Sequence, residues 1–120
     1  MRYSIDVRDG YLRAEMVERE TPEETRQFNH AVHAAMLEKE VARLLVVVRS
    51  SRPIFRVEEY QLSEFFKAVA AIRGLRVALV SDTNELAAAH EYVELIASQK
   101  GIALRAFHAE PPALEWLLHA

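Results

Sequence analysis

Arg49-Ser50-Ser51-Arg52-Pro53-Ile54-Phe55-Arg56 places three guanidiniums, two hydroxyls and an aromatic ring in one short stretch. Guanidiniums take carboxylates and phosphates through paired hydrogen bonds, and the N-terminus of a following helix adds its dipole, so this stretch offers to hold an anion. The same arginines also solvate a loop or pair with nearby acids such as Glu58 and Glu59. Ser50 and Ser51 are in addition acceptors for phosphorylation. Ser81-Asp82-Thr83-Asn84 has the residue types of a polar site, although helix N-caps need those types for local reasons. His108, after a later apolar run, completes the set of candidates.

The remaining histidines offer less. His30 and His33 have a spacing that can put two imidazoles on one metal, but no carboxylate is placed to complete a ligand set, and a polar helix face explains both. His90 lies one turn before Glu94 and reads as a local side-chain pair. Nucleophile-elbow, Walker-type and dinucleotide fingerprints are absent, so no catalytic residue, cofactor or metal is assigned. The acid pairs Glu23-Glu24 and Glu58-Glu59 fall at predicted helix starts, where negative charge favours the helix dipole.

What must position these residues is read from periodicity. Leu44-Leu45-Val46-Val47-Val48 has no polar face, so as a strand it is buried on both sides, as inner strands of helix-flanked parallel sheets are. Upstream, Tyr3, Ile5 and Val7 and then Leu12, Ala14 and Met16 alternate with polar residues around Asp9-Gly10, which predicts an antiparallel hairpin with a type I′ turn. Thr21-Pro22-Glu23-Glu24 combines an N-cap, a proline at the first helical position and a glutamate that can return a bond to the cap. A helix bearing Phe28, Val32, Ala35 and Met36 then runs to about Glu40.

A second helix carries Leu62, Phe65, Phe66, Val69 and Ile72 and is expected to end at Gly74. Leu75 to Val80 is the next strand, and a helix with Leu86, Ala89, Val93 and Ile96 stops near Gly101. Ile102 to Phe107 makes the last strand and Pro111 to Leu118 a closing helix, in which Trp116 anchors to the sheet. The order is ββαβαβαβα: an α/β domain with a mainly parallel sheet, the hairpin at one edge. In such sheets the loops at the carboxyl ends of strands do the binding, here Arg49 to Arg56, Ser81 to Asn84, and His108 to Glu110.

Composition narrows the classes. The chain has 120 residues, the size of one domain, and no low-complexity tract. A formal net charge of -3 gives no footprint for nucleic acid. There is no cysteine, which excludes disulfides and thiolate chemistry. The N-terminal residues alternate instead of forming an apolar signal core, and the apolar runs are too short to span a bilayer, so a cytoplasmic protein is expected.

Leu75-Arg76-Val77-Ala78-Leu79-Val80-Ser81-Asp82, with Leu104-Arg105-Ala106-Phe107-His108-Ala109-Glu110 and Ala113-Leu114-Glu115-Trp116-Leu117, resembles the SpoIIAA-like group of STAS domains. In that group a strand ending in Phe leads to a short acidic turn and a helix ending in Ala-x-x-Trp-Leu. Relatives of the fold include bacterial anti-sigma-factor antagonists, which exchange protein partners when a serine after the third strand is phosphorylated, and the lipid-carrying CRAL-TRIO domains. Ser50 or Ser51 occupies a comparable place in this chain, without the acid and the glycine of the antagonists' Asp-Ser-Ser-Gly-like motif.

Three functions are therefore expected in order. The first is a non-enzymatic STAS-like regulatory module acting through protein contacts, self-association included, with the Arg49 to Arg56 loop and the second helix as its surface. The second is a carrier or sensor of a lipid or other small amphiphilic or anionic ligand, with Phe55, Tyr60, Phe65 and Phe66 around an apolar pocket. The third is a small enzyme acting on an anionic substrate through Ser81, Asp82 and His108.

Overall fold

A computed structural model of the chain describes residues 1–53 and 56–119, with the side chains of 56–61 outside the description. The hairpin is β1 (Arg2–Arg8) and β2 (Tyr11–Val17), in register from Arg2 opposite Val17 to Arg8 opposite Tyr11. The turn differs from the expected type I′. Only Gly10 takes positive φ, at 85°, and Asp9 does not, because an aspartate avoids the left-handed region when the glycine alone can reverse the chain.

Helix α1 (Pro22–Lys39) starts on the complete capping box, with Thr21 accepting from the Glu24 N–H and Glu24 accepting from the Thr21 N–H. It hands over to β3 (Arg43–Arg49), whose Leu44 to Val48 are all buried. Then follow α2 (Arg56–Val69), β4 (Arg76–Ser81), α3 (Asn84–Gln99), β5 (Ala103–Phe107) and α4 (Glu110–His119). Helix α2 stops at Val69, short of Gly74. Turns cover the intervening residues, with Ile72 N–H bonded to the Val69 carbonyl, and Gly74 serves the entry to β4 instead of the helix end.

The strands lie in the sheet in chain order, β1-β2-β3-β4-β5, antiparallel in the first pair and parallel in the other three. This places α1, α2 and α3 on one face, where Phe28, Met36, Phe66, Val69, Leu86 and Val93 meet the even-numbered side chains of β2 and β3. Helix α4 covers the opposite face over β3 and β4, through Ala113 and Leu117 on Leu45, Val47, Ala78 and Val80. Arginines on that face hold it. Arg43 donates to the Leu118 carbonyl at 3.0 Å, satisfying one of the orphan acceptors of the helix end. The Arg76 guanidinium sits 4.2 Å from the Trp116 ring centre, which is how Trp116 anchors the helix. No helix among the described residues is long and apolar enough to cross a membrane.

Candidate functional site

The carboxyl ends of β3, β4 and β5 converge on one rim, as the strand order requires. A cleft of about 270 Å³ there is lined by Arg49, Ser81, Asp82, His108, Glu110 and Pro111 among others, so several of the expected residues meet. Arg49 is occupied. Its Nε donates to Glu15 at 2.8 Å and its Nη2 to Glu110 at 3.3 Å. Arg13 donates to the same two carboxylates, so two arginines and two glutamates alternate around one network joining β2, β3 and the start of α4. Hydrogen bonds from Arg49 and Arg13 hold the Glu15 and Glu110 carboxyls below the usual glutamate range, and Glu110 raises the Arg13 guanidinium.

The two serines divide their roles. Ser51 Oγ accepts from the Arg19 backbone N–H at 3.0 Å and donates to the Arg49 carbonyl at 2.9 Å. Ser50 sits in the left-handed region at φ 49°, with its N–H on Asp82 Oδ2 at 3.0 Å and its side chain exposed. Arg52 donates its N–H to the Arg19 carbonyl at 3.0 Å and presents an exposed side chain. Phe55 and the Arg56 side chain lie outside the described residues, as does the Tyr60 side chain.

Ser81, Asp82 and His108 do not form a relay. The Ser81 hydroxyl is buried and bonded to no group among the described residues, Asp82 is exposed and engaged with Ser50, and His108 is exposed. A nucleophile needs a base within hydrogen-bond reach, and none among the described residues touches Ser81 Oγ.

A second site lies beneath the helices, on the opposite face of the sheet from α4. A cavity of about 60 Å³ has Arg19, Thr25, Asn29 and His90 in a wall otherwise made of core side chains, among them Phe65 and Phe66. Arg19 is buried, with Nη1 on Thr25 Oγ1 at 3.1 Å and Nη2 on the Arg52 carbonyl. His90 is 6% exposed and its Nδ1 has no hydrogen-bond partner among the described residues; Asn29 Nδ2 is also buried without one there. The expected His90–Glu94 pair is not formed. Glu94 instead accepts from the Ala106 N–H at 3.0 Å, because α3 turns His90 inward with Leu86 and Val93 while Glu94 faces β5. Burial, then the positive charge of Arg19, push the His90 imidazole down to about 4, with Asp82 opposing, so it is neutral at physiological pH.

No protein-family model and no curated protein sequence matches the chain. The sequence places Phe65 and Phe66 around an apolar pocket, and both line this cavity, whereas its polar members Arg19, Thr25, Asn29 and His90 are not foreseen there, although they leave a trace. Thr25 and Asn29 fall on the stripe of Phe28, Val32 and Met36, and His90 falls on that of Leu86 and Val93. A polar residue at a core position of a helix is the signal that such a site would give.

Proposed function

We propose that the chain is a non-enzymatic, STAS-like binding module that acts through protein contacts, with the loop of residues 49–53 as its working surface. The observation that carries this reading is how that loop is held. Its backbone is fastened on both sides, Glu18 N–H to the Arg49 carbonyl at 3.1 Å, Ser50 N–H to Asp82, and Arg52 N–H to Arg19, while the Ser50 and Arg52 side chains remain exposed. A loop ordered before it meets a partner loses little further entropy on binding. The ββαβαβαβα order supports the family resemblance. A phosphate on Ser50 sets negative charge beside the Asp82 carboxylate that holds the loop, and so supplies an off state by repulsion.

Site-specific photocrosslinking in the source cells tests this. A crosslinker in place of Arg52 is expected to capture one defined protein, where the same group in place of Glu38, exposed on α1, captures none. Ser50→Asp should reduce that product by about tenfold. Identical products from both positions, or no product from position 52, would remove the loop from the account.

A further inference from the structure

The two edges of the sheet are treated differently. On β5 the Ala106 N–H is taken by the Glu94 carboxylate at 3.0 Å, and the strand is only five residues long. Strand β1 is seven residues long, contains no proline, glycine or lysine, and runs without a bulge against β2. Arg8 and Tyr11 face each other across a two-residue turn, so they exchange the hydrogen bonds that close the hairpin. Alternation then gives the even-numbered residues of β1 to β2 and turns the N–H and C=O groups of Tyr3, Ile5 and Val7 to the free edge. No strand or loop backbone among the described residues takes them.

The side chains along this edge fit one occupant. Tyr3, Ile5 and Val7 lie on the face covered by α1, where Tyr3 meets Phe28 edge to face and Ile5 packs on the core, yet Tyr3 and Val7 remain 48% and 51% exposed. Arg2, Ser4, Asp6 and Arg8 project from the other face, all exposed. A second β1, antiparallel about a two-fold axis normal to the sheet, sets odd residues against odd and even against even. Centred on Ile5, that pairing opposes Arg2 to Arg8; centred on Asp6, it opposes two aspartates; centred on Tyr3, it is shorter and leaves Asp6 unmatched. Centred on Ser4, it opposes Arg2 to Asp6 twice and Tyr3 to Ile5 twice, and the outward backbone groups of Tyr3 and Ile5 bond across. Within the chain, Arg2 meets only Glu18 and Asp6 only Arg8, both at 3.3 Å between exposed side chains, and such pairs compete weakly.

We infer that β1 pairs with β1 of a second copy of this chain in the register centred on Ser4, joining two five-stranded sheets into one of ten strands. Charge complementarity selects the register, and the free backbone groups supply its hydrogen bonds. The contact is narrow beside that of a permanent dimer, so association is reversible, with a dissociation constant of about 100 μM. The pairing uses no residue of the 49–53 loop, so it does not depend on the protein-contact reading of that loop and is tested apart from it.

Sedimentation equilibrium of the purified chain from about 10 μM to about 1 mM measures the association. Arg2→Asp and Asp6→Arg each set like charges opposite one another twice, and each should weaken it by about tenfold or more. The double exchange Arg2→Asp/Asp6→Arg restores opposite charges and should recover most of that loss. Both residues are exposed, so the variants should fold. In the wild-type protein, hydrogen exchange at the Tyr3 and Ile5 amides should slow as concentration rises. A chain that stays monomeric to about 1 mM overturns the inference. A dimer that the single changes leave intact, that the double exchange does not restore, or in which the Tyr3 and Ile5 amides exchange as in the monomer overturns it equally, since its contact then lies elsewhere.

Discussion

Arg13 and Glu110 stand 97 residues apart in the chain and meet in a two-pronged ion pair, Nε to Oε1 at 2.9 Å and Nη2 to Oε2 at 3.0 Å. The pair fixes the first turn of α4 to β2, the strand whose first residue, Tyr11, packs against the cluster that holds Ala113 and Leu117 of the helix. Arg49 and Glu15 close the network, so each guanidinium has two carboxylate neighbours and each carboxylate two guanidiniums.

Arg13→Ala is expected to cost about 2 kcal/mol, since it leaves Glu110 partly buried with only its weaker contact to Arg49. The double variant Arg13→Ala/Glu110→Ala should cost less than the sum of the two single changes, because each single change strands the other charge. Urea unfolding of the four proteins measures the coupling, and strict additivity would show that the two-pronged geometry contributes nothing to stability.

Ser50 and Ser51 should respond unequally to the same change. Ser51→Ala removes a hydroxyl that both accepts and donates, and is expected to cost about 1 to 2 kcal/mol. Ser50→Ala removes an exposed hydroxyl with no structural bond, and should stay within about 0.5 kcal/mol. Equal effects in chemical denaturation would mean that the loop is not held as described.

His90 sets an acid limit. Its folded value is near 4 and its ordinary value is 6.5, so between these the unfolded chain takes up the proton first and stability falls as pH drops. The loss from this residue should be about 2 kcal/mol between neutrality and about pH 5. Glu15 and Glu110, whose folded values are depressed, lose their contribution only lower, as pH falls through and below the ordinary glutamate value of 4.5. Denaturant midpoints across this range should therefore slope in the wild type and flatten above pH 4.5 in His90→Phe; a slope that persists in the variant would assign it to other groups.

Glu40 closes α1 in the left-handed conformation, φ 54° and ψ 47°, where most helices place glycine. Glu40→Gly relieves that strain and should raise stability by about 0.5 to 1 kcal/mol despite the greater freedom of the unfolded chain. Calorimetry decides the sign.

The fold was legible because its signals are local and agree with one another. The doubly buried run Leu44 to Val48, the Thr21 to Glu24 capping box and the alternation on either side of Gly10 each specify one element, and connection rules then give a mainly parallel sheet edged by the hairpin but not the order of its strands. The end of α2 was less so. Ile72 continues the apolar spacing and still packs on the core from a turn, so periodicity alone extends the helix beyond Val69. At the rim, the gathering of Arg49, Ser81, Asp82 and His108 followed from the parallel sheet, but the occupation of Arg49 did not, since Glu15 and Glu110 are distant in sequence. The inner cavity was hidden for a related reason. Thr25, Asn29 and His90 stand on two helices, and only the packing of α1 and α3 on the same face makes them neighbours.

The chain-order sheet bears on synthesis as well as on stability. Every strand pairs with the strand made immediately before it, so the sheet lengthens from one edge as the polypeptide emerges, and no established pair has to open to admit a later strand. During that growth the α4 face, with Leu45, Val47, Ala78 and Val80, stays uncovered until α4 itself has been made. The half-made domain is thus an apolar sheet surface waiting for its lid, and chaperone contact or aggregation during translation should concentrate there, on the face that α4 seals.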